Sequence, residues 1–201
     1  FHETDEDINK KAKAIFANDS CQTPLRPLDL IPILSQVFNR FRCRYCKAPY
    51  PVWYALLELG LGLIFLLYSW ELLSLSQVIL ITAGLTLGIY DFRHQEYPLL
   101  VWMTFHLILM ASSGWNLVMV FFLALGFLAH FIDIRMGAGD FLFLASCSLI
   151  FSVTELLILI QFASATGILA FLLQKKKERL PFMPFLFLAA CVIIFGKLLL
   201  V

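Results

Sequence analysis

From residue 51 onward the chain is a succession of long apolar runs separated by short polar connections. A helix that spans a membrane needs about 20 apolar residues, and somewhat fewer where polar flanks reach the interface. By this measure the sequence predicts seven spanning helices, at about residues 52–75, 77–92, 98–113, 115–134, 140–152, 154–173 and 183–200. The second, third and fifth are short, which suggests a thinned or water-exposed region where their ends meet.

The overall composition agrees with a membrane protein. Hydrophobic residues make up 61% of the chain and charged residues 14%, against about 45–50% and about 25% in soluble domains. A soluble domain must keep a largely polar surface, and this chain has too many apolar residues for that. We therefore expect it to lie in a lipid bilayer. The predicted fold class is therefore an all-α, polytopic transmembrane helical bundle. The net charge of +1 argues against a nucleic-acid partner.

Three regions are predicted along the chain. Residues 1–20 are polar and of mixed charge, an atypical segment that is either native or the result of truncation, fusion or rearrangement. Residues 21–50 carry three of the five cysteines and a basic cluster, which suggests a small cytosolic segment with thiols or metal ligands rather than a disulfide framework. Residues 51–201 form the transmembrane domain.

The distribution of basic residues predicts the orientation of the bundle. If the N-terminal segment is cytosolic, 14 of the 15 Lys and Arg residues fall on the cytosolic side, and only Lys197 does not. The opposite orientation would reverse this bias, so the positive-inside rule favours a cytosolic N-terminal segment.

Two aspartates stand out among the ionisable residues near the apolar runs, where such groups are costly. Asp91 and Asp140 both lie at predicted cytosolic ends of spans. Gly84 and Gly88 share a helix face with Asp91 and permit a close neighbour, and Gly139 removes bulk beside Asp140. Two adjacent carboxyls cannot both ionise at low cost, so one holds a proton while the other can activate water. The alternative is that each aspartate makes an interhelical hydrogen bond or pairs with a nearby arginine.

The motifs around these aspartates resemble a known enzyme family. Tyr90-Asp91 together with Gly137-Ala138-Gly139-Asp140 resembles the aspartate pair of GxGD-type intramembrane proteases. Further stretches resemble the type IV prepilin peptidases, most closely those of competence systems. They are Asp29 to Ser35, Arg42 to Pro49, Leu57-Glu58-Leu59, Asp91 to Pro98, and Pro181-Phe182-Met183-Pro184-Phe185. The similarity covers about residues 21 to 201, and the motifs are specific because they occur together and in order.

The resemblance implies an aspartic endopeptidase of the bacterial cytoplasmic membrane, with its active site facing the cytoplasm. Such enzymes remove the short basic leader from prepilins or pseudopilins, and Asp91 and Asp140 would be the catalytic pair. Many members also methylate the new N-terminus with S-adenosylmethionine. That activity is associated with the family's N-terminal region, whose usual first span is not visible here. Two alternatives therefore stay open for this chain, a peptidase that also methylates and a peptidase alone.

A zinc site is the second implication of the resemblance. Cys43 and Cys46 form a CxxC pair, and many relatives add a second pair upstream, where this chain has Cys21 but Asn18. Structural zinc takes four ligands. Either Cys21, Cys43 and Cys46 hold zinc with one further ligand, or the segment carries reduced thiols.

Several other residues have supporting roles in this interpretation. Glu58 either positions substrate or bonds to a neighbouring helix. Pro181 and Pro184 leave backbone groups unpaired at a membrane entry, which is tolerated only beside water or protein. We therefore expect this element to line the active cleft. The rival functions are a presenilin-like protease that cuts within transmembrane helices and a proton-coupled transporter that uses the two aspartates as relay groups.

Overall fold

The computed structural model describes residues 34–45, 47, 52–94, 97–132, 137–173 and 180–200. All regular elements in these ranges are α-helices, and each of the seven predicted segments overlaps one. The helices are α1 Leu34–Phe38, α2 Val52–Ser69, α3 Leu75–His94, α4 Leu99–Ser113, α5 Leu117–Phe131, α6 Ala138–Cys147, α7 Val153–Leu173 and α8 Met183–Leu200.

Three helices differ clearly from the predicted lengths, among them α5, which has 15 residues rather than about 20. Helix α2 ends at Ser69 rather than near residue 75, because Glu71 adopts a left-handed conformation with φ of 59°. The Leu72 and Glu71 N–H groups donate to the Leu67 and Tyr68 carbonyls, which closes the helix in a Schellman turn. Helix α3 was predicted to be short and is not, since it has 20 residues.

The chain divides into two compact units, Phe1–Leu66 and Leu67–Val201. In the described part of the first unit, Cys43 is buried and its carbonyl accepts a hydrogen bond from the Lys47 N–H.

Helix α6 lies at the centre of the second unit. It contacts α3, α4, α5 and α8, and α8 also packs against α3 and α7. Seven of its residues are buried, although the helix has only 10 residues. At 1.5 Å per residue it is about 15 Å long, half the thickness of a bilayer core. The short fifth span predicted from the sequence is therefore confirmed as a short central helix.

Polar side chains cap the N-termini of α3, α5 and α7. These are alternate helices along the chain, so in an up-and-down bundle their N-termini lie at the same end. Ser74 with Gln77 at α3, and Ser152 with Glu155 at α7, form reciprocal capping boxes. At α5, the Asn116 side chain accepts from the Met119 N–H and donates to the Ser148 carbonyl. Near the same end, Lys197 forms an ion pair with Glu155.

Two helices of the described residues are long and apolar enough to cross a membrane, Leu75–Phe92 within α3 and Val153–Leu173, by length and composition. Large apolar side chains also remain exposed on several helices. They include Leu100 at 80%, Phe127 and Phe131 at 69%, and Leu173 at 75%. An apolar surface of this kind is typical of a chain that contacts lipid or a partner.

Candidate active site

A glycine face of α3 brings α8 close to Asp91. A Cβ atom on Gly84 would lie 2.5 Å from the Phe187 ring, and one on Gly88 would lie 3.8 Å from the Pro184 Cα. No larger side chain fits at position 84 without moving the phenylalanine. As the spacing predicted, these glycines and Asp91 share the face on which a neighbouring helix packs.

Asp91 interacts with the first residue of α8. Its carboxylate accepts a hydrogen bond from the Met183 backbone N–H, one of the N–H groups at a helix start that have no partner within the helix. The positive end of the α8 dipole also favours a negative charge at this position. The N-terminus of α8 thus holds the Asp91 side chain, which belongs to α3.

Asp140 also binds a helix N-terminus, that of its own helix, α6. It lies in the first turn of α6, three residues after the N-cap Gly137, and its carboxylate accepts from the Gly137 N–H. This is the geometry of a capping box in which the acidic residue reaches back to the cap. Asp140 is buried, with 8% of its surface exposed.

The fold brings the two aspartates together. Helices α3 and α6 are in contact, and the Asp91 and Asp140 carboxylates are close enough to interact electrostatically. Each of them also bonds to the backbone N–H of a helix N-terminus. The result is a pair of carboxylates, one buried and one half-buried, held by two helix ends.

Tyr97 lies beside this pair, in the connection between α3 and α4. Its ring covers Gly139, where a Cβ atom would overlap the ring and lie 2.5 Å from the Tyr97 Cγ. Burial is the main cause that raises the pKa of Tyr97 above its usual value, and interactions with Asp140, Cys147 and Asp91 add to it. The phenol therefore stays protonated and remains a hydrogen-bond donor.

A buried polar cluster joins α4 to α6. The Trp102 indole N–H donates to the Leu142 carbonyl and to the Ser146 hydroxyl, at 3.0 Å in each case. His106 stacks on Trp102, with ring centroids 4.7 Å apart, and its Nδ1 lies 2.9 Å from the Ser146 Oγ. These contacts fix the register of α6 against α4 and hence the depth of Asp140.

Trp102→Phe is expected to destabilise the fold by about 1–2 kcal/mol, since it removes the N–H donor but keeps a ring beside His106. Unfolding by denaturant in detergent micelles measures this effect. Trp115→Phe is the matched control, because Trp115 is 76% exposed and should tolerate the change. Equal stability of the two variants would show that the Trp102 hydrogen bonds between α4 and α6 do not stabilise the fold.

The other predicted residues occupy different positions. Tyr90 is 38% exposed and cannot share the face of Asp91, since consecutive helical residues point in different directions. Pro181 and Pro184 flank the Met183 N–H that binds Asp91, so this element adjoins Asp91, and its place in an active cleft stays a prediction. Glu58 belongs to the other unit.

The predicted zinc ligands are only partly covered by the structure. Cys21 and Cys46 lie outside the described residues, whereas Cys43 is described and buried. Among the residues that the structure describes, no three His, Cys, Asp or Glu side chains cluster closely enough to hold a metal ion. The zinc site stays a prediction from the sequence.

Known proteins resemble this chain both in the N-terminal part and across most of its length. The family model of the Bacterial Peptidase A24 N-terminal domain matches residues 10–72. A prepilin leader peptidase/N-methyltransferase from Neisseria gonorrhoeae is 28% identical over 180 aligned residues, which cover 77% of this chain. Both comparisons therefore show a similarity to the type IV prepilin peptidases.

This similarity agrees with the resemblance seen in the motifs. The family match begins at residue 10, within the polar segment 1–20. The chain spans 61% of the length of the gonococcal relative. No solved structure matches the chain.

Two features of this site were missed in the sequence. Tyr97 lies inside the recognised run from Asp91 to Pro98, but nothing in its spacing indicated that it covers Gly139. The Met183 N–H is a backbone group distant in sequence from Asp91, and no side-chain pattern reveals it. To detect the contact between Gly139 and the large ring of Tyr97, one would need a second sequence in which both positions change together.

Proposed function

We propose that this chain is a membrane-embedded aspartic endopeptidase of the GxGD type, in which Asp91 and Asp140 share catalysis. The observation that carries the proposal is the approach of two carboxylates that each bond to a helix N-terminus. One carboxylate and one carboxylic acid, held close together, can cleave an amide without a metal or a nucleophilic side chain.

The reaction follows from the two protonation states. The ionised carboxylate takes a proton from a water molecule while the oxygen of that water attacks the scissile carbonyl carbon. The protonated carboxyl donates its proton to the carbonyl oxygen, which gives a neutral tetrahedral intermediate. In the collapse of this intermediate, the carboxylate that gave up its proton takes one from a hydroxyl as the carbonyl re-forms. The other carboxyl, which took its proton from water, donates that proton to the nitrogen as the C–N bond breaks. The two aspartates exchange roles at each step, so the enzyme ends as it began.

The proposed substrates are prepilins or pseudopilins, from which the enzyme removes the short basic leader. The name of the gonococcal relative supports this substrate class. The inferred topology supports it as well, since Asp91, Asp140 and Met183 lie at the helix ends that the positive-inside rule assigns to the cytosol. The enzyme would be located in the bacterial cytoplasmic membrane, and its relation to competence systems is part of the same proposal.

Methylation of the new N-terminus is a further activity in the name of the relative. The N-terminal region to which the family resemblance assigns it includes residues 1–33, which lie outside the described part of the chain. None of the described residues is assigned to S-adenosylmethionine, and no step of the proposed proteolysis uses it.

The proposal is tested by incubating the purified chain, in detergent or liposomes, with a prepilin that carries its basic leader. Mass spectrometry should detect a product that has lost the leader, with a further methyl group if S-adenosylmethionine is used. A substrate without a leader is the control for specificity. Cleavage only within a transmembrane helix would favour the presenilin-like alternative, and proton-coupled uptake without any cleavage would favour a transporter.

A further inference from the structure

The hydroxyl of Tyr97 is buried and has no hydrogen-bond partner among the described residues. A buried hydroxyl without a partner is costly, and a phenylalanine would cover Gly139 equally well without that cost. The position therefore carries a polar atom that packing alone does not explain.

The surroundings of the hydroxyl contain one strong candidate acceptor. The phenol interacts electrostatically with Asp140 most strongly, then with Cys147 and then with Asp91. Cys147 is fully buried, and a thiol sulfur is a weak acceptor. A carboxylate is a much stronger acceptor, and a bond to an ionised group is about twice as strong as one between neutral groups.

The contact with Gly139 holds the ring where this acceptor can be reached. Gly139 immediately precedes Asp140 in α6, so a ring packed on Gly139 cannot move independently of the first turn of that helix. Pro98 follows Tyr97 directly and restricts its backbone to an extended conformation. Both constraints keep the hydroxyl beside Asp140 rather than in solvent.

We propose that Tyr97 is a positioning residue of the aspartate pair, whose hydroxyl donates a hydrogen bond to the Asp140 carboxylate during the reaction. The inference rests on the proposed peptidase function. The bond would orient Asp140 and stabilise its ionised form whenever it has given up its proton, and Tyr97 would contact the aspartate and not the substrate.

Tyr97→Phe is the variant that tests this role. Loss of the bond should lower kcat for prepilin cleavage by about tenfold, the effect of one hydrogen bond to a charged group. KM should not change, because Tyr97 does not contact the substrate. The limb of the pH–rate profile that reports Asp140 should move to higher pH, since its ionised form has lost a donor. Thermal stability in the same detergent should be equal to that of the parent or higher.

Tyr68→Phe is the matched control, since Tyr68 is 41% exposed and lies at the end of α2. A space-filling role predicts that Tyr97→Phe cleaves like the parent, and that result would overturn the inference while leaving the peptidase function intact. Reduced cleavage with an unmoved pH profile, or with an equal loss of stability, would overturn it as well. A parent that does not cleave would contradict the proposed function, and the inference would fail with it.

Discussion

Asparagine at position 91 or 140 is expected to reduce prepilin cleavage by at least about 10³-fold while leaving the helical bundle folded. The amide cannot accept a proton from water or donate an acidic one to the substrate, so both halves of the proposed chemistry are lost. Its carbonyl oxygen can still accept from the Met183 or the Gly137 N–H that the carboxylate binds. Cleavage assayed by mass spectrometry, together with thermal unfolding of the purified variants, measures both properties.

Alanine at the same positions separates chemistry from folding. Asp91→Ala and Asp140→Ala remove the acceptor as well as the acid, and each should cost a further amount of about 1 kcal/mol in stability through a lost helix cap. The asparagine and alanine variants should thus be equally inactive but unequally stable. Near-parental cleavage by either asparagine variant would refute the assignment of the catalytic pair.

Gly139→Ala is expected to have the second largest effect, since a single methyl group would overlap the Tyr97 ring. The new Cβ would lie 2.5 Å from the Cγ of that ring, and an atom so near the start of the side chain cannot rotate away cheaply. We expect a loss of about 1–3 kcal/mol in stability, the usual effect of overpacking. Cleavage should fall as well, because relief of the overlap displaces either Tyr97 or the first turn that carries Asp140.

Two comparisons make this prediction specific. Gly196→Ala is the control, because a Cβ atom there meets nothing within 4 Å and alanine favours a helix. The double variant with Tyr97→Ala removes the ring, so Gly139→Ala should then cost little further stability. This coupling is read from the unfolding free energies of the four proteins. Additive effects would show that the overlap with Tyr97 is not the cause.

Much of the helical organisation could be predicted from local patterns. Apolar runs define the helices, and the spacing of Gly84, Gly88 and Asp91 shows which face packs against a neighbour. Helix ends were less predictable, because capping decides them. Helix α6 begins at Ala138, so Asp140 lies inside its first turn and not at its first residue.

The partners of the two aspartates could be inferred only in part. The Gly137 N–H is local to Asp140, and glycines before an acidic residue suggest such a turn. The Met183 N–H reaches Asp91 through the packing of α3 on α8, which a single sequence does not specify. The position of Tyr97 on Gly139 has the same origin. Tertiary packing thus supplied the contacts that local periodicity does not encode.

The use of Asp91 and Asp140 as helix caps has a consequence for how proteins of this kind can diverge. The acidic groups proposed for the chemistry also complete α8 and α6, so selection for stability and selection for activity act on the same atoms. A descendant that lost its protease activity would still need an oxygen acceptor at both positions. Inactive relatives that keep the fold should therefore carry asparagine or serine there more often than alanine or leucine.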